Sequence, residues 1–176
     1  MKMTRNGANS LACMGAALAA ACVSGGSYDA RLAPPKMEVL AVHAHAVGVQ
    51  IYECSEARNG PAWTFKEPRA TLVDASGRSI GRHYAGPTWE ADDGSKVVGQ
   101  VVASVDSSDA NAIAHLLLAS KSNAGDGVFA NVHSIQRLET SGGRAPREPC
   151  TTADIGRRAE TPYSATYDFY IPRSAI

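Results

Sequence analysis

The sequence lacks an excess of charge of either sign and a long apolar run. Lysine plus arginine and aspartate plus glutamate both number 17, so the formal net charge is zero. No basic block of the kind that neutralises phosphates is present, which argues against nucleic acid as a partner. The main apolar stretch, residues 11–23, is too short and too rich in alanine to span a bilayer of about 30 Å comfortably.

Motifs for cofactors are also missing. There is no G-x-G-x-x-G fingerprint between a strand and a helix, so no dinucleotide cofactor is expected. We therefore expect no cofactor of any kind. The hydrophobic content of 44% and the charged content of 19% are ordinary for a globular protein and argue against global disorder.

The N-terminus has the composition of an export signal. Lys2 and Arg5 supply a positive region, and the apolar stretch of residues 11–23 follows. We predict a signal peptide over residues 1–21, a flexible tether over residues 22–36 and one β-rich domain over residues 37–176. The protein is then exported.

The cleavage site decides between two locations. Leu18-Ala19-Ala20-Ala21-Cys22 resembles a bacterial lipoprotein box, in which Cys22 receives the lipid. Ala19-Ala20-Ala21 also satisfies the A-x-A rule for a soluble secreted protein. We expect a periplasmic or outer-membrane lipoprotein, and otherwise a secreted protein. Contact with a membrane is expected only through the lipid anchor.

The four cysteines have separate roles. Cys13 lies within the predicted signal peptide, and Cys22 is the candidate for lipidation. Cys54 and Cys150 remain, and an exported protein rarely keeps two free thiols. We predict a disulfide between Cys54 and Cys150, which closes a long loop and contributes on the order of 4 kcal/mol in the chain-entropy model.

The domain has the pattern of a mainly β protein. Residues 47–52 alternate, with Gln50 and Tyr52 on one face and Val49 on the other. Asp93-Gly94 is a hairpin signal, since a two-residue type I′ turn needs positive φ at both positions. About seven short strands at this spacing predict a β-sandwich or a barrel.

One segment has helical periodicity. Ser108 or Asp109 is a suitable N-cap, and Ile113, Leu116 and Leu117 follow at the spacing of one helix face. We predict one α-helix near residues 109–121.

Several segments together resemble a known family. They run in order from about residue 40 to 171, and they include Gly48-Val49-Gln50-Ile51-Tyr52-Glu53-Cys54, residues 81–90, Asp93-Gly94-Ser95, residues 135–137, residues 140–143, Cys150 and Tyr167-Asp168-Phe169-Tyr170. The chain resembles the exported bacterial and fungal proteins called domain of unknown function 3455. The resemblance departs at the predicted helix, where His115 stands in place of a Trp. It implies export and brings no chemistry with it.

Two sets of residues are candidates for catalysis or metal binding. His83 with Glu90 or Asp93 has the residue types of a general acid–base pair. The His43-Ala44-His45 pair has two rings on one strand face, but a zinc site needs a third protein ligand, so no metal is predicted.

Aromatic and polar residues near the Gly86-Pro87 break are better suited to binding. Aromatic rings stack on sugars or apolar ligands, and polar side chains orient them. The predicted ligand-binding residues are Gln50, Tyr52, His83, Trp89, Glu90 and Arg137. The leading hypothesis is a non-enzymatic domain that binds a small molecule or a cell-wall glycan. The alternatives are a hydrolase or lyase that uses His83 with Glu90 or Asp93, and a structural envelope protein.

Overall fold

The structure, a computed structural model, describes residues 28–176. Eight antiparallel strands form one closed barrel, in which each strand pairs with its neighbours in the chain and the last pairs with the first. The strands are β1 (Glu38–Ser55), β2 (Ala62–Val73), β3 (Ser79–Tyr84), β4 (Thr88–Ala91), β5 (Lys96–Val105), β6 (His115–Ala124), β7 (Ser134–Gly142) and β8 (Arg158–Pro172). The mainly β prediction is confirmed, with a barrel rather than a sandwich and eight strands rather than about seven.

Strand β1 closes the barrel because it is long enough to pair along both edges. Its 18 residues pair with β2 on one side and with β8 on the other. Register shifts between Leu40 and Val42 and between Ile51 and Tyr52 bend the strand. Such bulges give a strand the extra curvature that closure needs.

The predicted α-helix near residues 109–121 is wrong. The structure has β6 from His115 to Ala124, paired with β5 and β7. Leu116 and Leu118 face the barrel interior, and Leu117 lies between them on the other face. A run that is apolar on both faces satisfies a helical pattern as well as a strand pattern, and here pairing with two neighbouring strands decides.

One end of the barrel is filled by side chains. Small inward residues such as Ala44 and Ala165 leave room for the rings of Trp89 and Phe169. The loop between β6 and β7 places Phe129 against Phe169, with ring centroids 4.5 Å apart. Both phenylalanines are fully buried, so this end of the barrel is closed by packing.

The described part of the predicted tether contacts the barrel. Residues Ala30–Leu32 form a 3-10 helix, and Leu32 is completely buried. The Gln136 side-chain amide donates to the Leu32 carbonyl at 2.5 Å, and the Tyr28 hydroxyl donates to Glu139 at 3.0 Å. The predicted signal peptide over residues 1–21 and the lipidation candidate Cys22 lie outside the described residues.

The predicted disulfide is confirmed. Cys54 and Cys150 are bonded, with their Cα atoms 5.7 Å apart. The bond joins the end of β1 to the loop between β7 and β8, so it fixes that loop at one end of the barrel. No helix among residues 28–176 is long and apolar enough to cross a membrane.

Candidate ligand-binding cavity

The barrel end opposite Phe129 contains a cavity of about 710 Å³. This volume lies in the range of roughly 300–1,000 Å³ typical of small-molecule sites. An eight-stranded barrel has an interior that holds side chains or one small ligand. The walls are formed by apolar, aromatic and a few charged side chains, among them Tyr52, Phe65, Pro68, His83, Trp89, Val101, Ile113, Leu116, Leu118, Arg137 and Tyr167.

Strand alternation brings most of the predicted ligand-binding residues to this cavity. Gln50 and Tyr52 stand two apart on β1, so both face inward, and Arg137 faces inward from β7. His83 and Trp89 are paired across β3 and β4. Glu90, the sixth predicted residue, is placed elsewhere.

Three aromatic rings, those of His83, Trp89 and Tyr167, pack against one another in the floor of the cavity. His83 and Trp89 are nearly parallel, with their centroids 4.3 Å apart and an interplanar angle of 9°. Tyr167 meets Trp89 edge-on at 5.3 Å and His83 at 5.1 Å. These distances and angles are in the favourable range for aromatic pairs. The cluster presents a rigid, flat surface next to the cavity.

The ring of His83 is neutral and has a defined tautomer. Its Nδ1 lies 2.8 Å from the Thr88 carbonyl oxygen, which only accepts, so Nδ1 carries the proton. Burial lowers the pKa of His83 to about 3, with a smaller contribution from the charge of Arg137. Nε2 is therefore an acceptor at neutral pH.

Gly99 on β5 makes room for the indole. A Cβ at this position would lie 2.9 Å from Trp89 Cζ3 and 3.1 Å from Leu118 Cδ2. A side chain here would displace Trp89, and with it the cavity floor.

Several buried polar atoms have no protein partner with hydrogen-bond geometry. They are Gln50 Nε2, Trp89 Nε1 and the hydroxyls of Tyr163 and Tyr167. Gln50, Trp89 and Tyr167 line the cavity and are 2%, 1% and 1% exposed. The four atoms have almost no surface accessible to solvent, so they lie behind the cavity surface and do not face its open space.

Arg137 is the charged group inside the cavity. Its Nε donates to the Ala114 carbonyl at 3.0 Å. Burial raises the pKa of the Tyr52 and Tyr167 hydroxyls, while the charge of Arg137 acts on both in the opposite direction. The guanidinium therefore sets the electrostatic character of the interior.

The mouth of the cavity carries further charges. Lys66 pairs with Glu53 at 3.0 Å, and Arg144 lies 3.6 Å from the exposed Asp106. The Tyr52 hydroxyl donates to the Gly143 carbonyl at 2.7 Å, which ties the wall of the cavity to the loop held by the disulfide.

Glu90 lies on the outer surface of the barrel. Its carboxylate accepts from the Tyr84 hydroxyl at 2.6 Å and from Arg82 at 2.9 Å, and Lys96 lies 3.4 Å away. These bonds lower the pKa of Glu90 to about 2, the Tyr84 hydroxyl contributing most. Glu90 follows Trp89 on β4, so the two side chains face opposite sides of the sheet.

Asp93 holds the closed end of the barrel together. One carboxylate oxygen accepts from the Ser95 amide at 2.8 Å and from its hydroxyl at 2.6 Å. The other accepts from the Val128 amide at 2.9 Å. These hydrogen bonds lower the pKa of Asp93, with Ser95 contributing most. The structure thus brings neither candidate carboxylate together with His83.

Two further patterns in the sequence, His43-Ala44-His45 and Gly77-Arg78-Ser79-Ile80-Gly81, lie on the outside of the barrel and at a turn. His43 binds Asp168 at 2.6 Å on the exposed face of β1, and no group of three or more potential ligands among residues 28–176 is placed to hold a metal. Gly77-Arg78-Ser79-Ile80-Gly81 has the spacing of a nucleophile elbow, but it lies at the β2–β3 hairpin and not between a strand and a helix.

Sequence reasoning did not identify Leu116, Leu118 or Arg144 as cavity residues. Tyr167 carries a signal in the sequence, because β8 alternates Tyr163, Ala165, Tyr167 and Phe169 on one face. Leu116 and Leu118 were not identified because residues 109–121 were predicted to be a helix, in which these side chains do not share an inward strand face.

These features define an eight-stranded antiparallel barrel with a ligand-sized cavity at one end. The chain belongs to the family described as protein of unknown function DUF3455, whose model matches residues 34–171. The resemblance seen in the sequence is thereby confirmed. No curated protein and no solved structure matches the chain.

Proposed function

We propose that this protein is an exported, non-enzymatic binding protein that holds one small molecule in the barrel cavity. The observation that carries the proposal is the cavity of about 710 Å³, lined by aromatic and aliphatic side chains together with Arg137. An apolar molecule that fills such a cavity removes these walls from water, which favours binding.

The composition of the walls favours a small, largely apolar ligand over a cell-wall glycan. Ile113, Leu116 and Leu118 form an aliphatic wall, and Leu118 lies next to Trp89 of the aromatic cluster. A glycan needs many polar partners for its hydroxyls, whereas a compact apolar molecule releases water from this surface.

Binding is favoured over hydrolase or lyase chemistry by the surroundings of His83. Its pKa of about 3 is far from the working pH of a general base. Glu90 and Asp93 are engaged in hydrogen bonds on the outer surface and at the closed end. A purely structural role does not account for the cavity.

Export is supported by the disulfide and by the N-terminal pattern. A bond between Cys54 and Cys150 is compatible with an oxidising compartment. The proposed location is the periplasm or the outer membrane, with Cys22 as the lipid attachment site, or else the exterior of the cell.

Native mass spectrometry of the protein purified from its own envelope or medium tests the proposal. We expect a bound mass that is released on denaturation. Ala114→Trp, at the cavity wall, should block binding by filling the space, whereas Val102→Trp, on the exposed outer face, should not. Equal occupancy in both variants, or no bound molecule together with no response to added apolar compounds, would overturn the proposal.

A further inference from the structure

Arg137 is a charged side chain in the wall of the cavity, among aromatic and aliphatic neighbours. It lies next to the Tyr167 hydroxyl: burial raises the pKa of that hydroxyl, and the nearby guanidinium of Arg137 acts in the opposite direction. A ligand in this cavity therefore meets a guanidinium among mainly apolar groups.

Arg137 has no acidic partner among the described residues. Its Nε is satisfied by the Ala114 carbonyl, and within residues 28–176 no carboxylate lies within 4.0 Å of its guanidinium. The two terminal nitrogens are the outer part of a planar fork that suits a carboxylate.

The charges around the cavity leave Arg137 without a counter-ion. Among the described side chains that line it, Asp106 is the acidic one, and it is 86% exposed at the mouth beside Arg144. The cations at the mouth, Lys66 and Arg144, each have a carboxylate within 4.0 Å, Glu53 and Asp106. The uncompensated positive charge among the described lining residues is therefore that of Arg137, which favours an anion over a cation.

Building on the proposed function, we propose that the ligand is an apolar carboxylate. Its carboxylate binds the guanidinium of Arg137, and its apolar body lies against the aliphatic wall and the ring cluster. A single arginine, rather than a cluster, fits one carboxylate better than a phosphate of higher charge.

A matched pair of probes separates this inference from the proposed function. The probes are 2-naphthoate, which carries the carboxylate, and 2-naphthalenemethanol, which has the same rings and no charge. Trp63→Phe leaves Trp89 as the sole tryptophan of the chain, so its fluorescence reports on the cavity. We expect both probes to bind, naphthoate at least about tenfold more tightly.

Substitution of Arg137 then tests the assigned partner. Arg137→Gln should reduce the affinity for naphthoate about tenfold or more and leave that for the alcohol nearly unchanged. Arg137→Lys, which keeps the charge, should retain part of the preference. Arg69→Gln, which removes a cation from the outer face of the barrel, is the control and should leave both affinities unchanged. Circular dichroism and thermal unfolding establish that each variant is folded.

The outcomes are distinct. If the alcohol binds as tightly as naphthoate, or if folded Arg137→Gln keeps the preference, the carboxylate inference is wrong and the binding function stands. If 2-naphthylmethylamine, which is a cation at neutral pH, binds best, the inference is also wrong. If none of the probes binds the wild-type cavity at millimolar concentration, the inference falls, and the native mass measurement decides the proposed function separately.

Discussion

His83 and Trp89 lie face to face inside the barrel, with ring centroids 4.3 Å apart and planes within 9° of parallel. The pairing joins a titratable ring to the cavity floor. Protonation of His83 would place a charge in a buried position beside the indole and 2.8 Å from its only acceptor, the Thr88 carbonyl. The same stack therefore sets both the shape of the cavity and its response to pH.

The first prediction concerns stability against pH. The pKa of His83 is about 3 in the folded chain and about 6.5 when unfolded, so between these values the unfolded chain binds more protons. Above pH 6.5 the titration of His83 does not affect the free energy of unfolding. As the pH falls from 6.5 toward 3, this free energy decreases by at most about 1.4 kcal/mol per pH unit. Urea unfolding at pH 7.5, 6 and 5 should therefore show a smaller decrease of the free energy of unfolding in His83→Gln than in wild type.

The difference in the free energy of unfolding between wild type and His83→Gln isolates the effect of His83, because the other groups titrate equally in both proteins. Parallel curves for wild type and His83→Gln over this range would show that His83 is solvated and not buried in the stack. In that case the His83–Trp89 stack would not form a rigid floor of the cavity in solution.

The second prediction concerns the disulfide. Cys54–Cys150 closes a sequence separation of 96 residues and fixes the loop that carries Gly143 and Arg144. Replacing both cysteines by serine should lower the free energy of unfolding by about 4 kcal/mol, and binding at the mouth should weaken as well. Reductant should destabilise wild type alone; equal sensitivity of the double variant would contradict the assignment.

The third prediction concerns the segment before the barrel. Leu32 is fully buried, whereas Leu40 on β1 is 51% exposed. Leu32→Ala should cost about 2–5 kcal/mol because it leaves a cavity under the 3-10 helix, and Leu40→Ala should cost much less. Chemical denaturation of both variants measures the difference. If both cost the same small amount, residues 28–36 behave as a tether in solution.

The sequence carried enough information to predict a mainly β fold and which residues share a strand face. The alternation around Gln50 and Tyr52 depends only on the period of a strand, so their shared face was predictable. The disulfide followed from the number of cysteines and from the export that the N-terminal pattern predicts. His83 and Trp89 were selected as residue types near a chain break, and the β3–β4 pairing explains why they meet.

Other features depend on tertiary contacts that no local pattern contains. The run Leu116-Leu117-Leu118 is apolar on both faces, because one face borders the cavity and the 3-10 helix of the N-terminal segment packs against β5 and β6. Glu90 has the residue type of a site residue, but strand parity directs it outward. Closure of the barrel, rather than a sandwich, requires β1 to pair on both edges, which is a property of the whole chain.

The last prediction concerns Glu90 and separates the outer surface from the cavity. Tyr84, Arg82 and Lys96 hold its carboxylate, and its pKa is lowered to about 2 from 4.5. The ionised carboxylate of Glu90 therefore stabilises the fold above pH 4.5, and this contribution is lost as the pH falls through 2. Glu90→Gln should therefore lower the melting temperature at pH 7, with a difference that narrows in strong acid. Because the carboxylate is outside the barrel, naphthoate binding should be unchanged at neutral pH. Loss of binding in the folded variant would instead place Glu90 in contact with the ligand and return the His83–Glu90 pair to consideration as an acid–base couple.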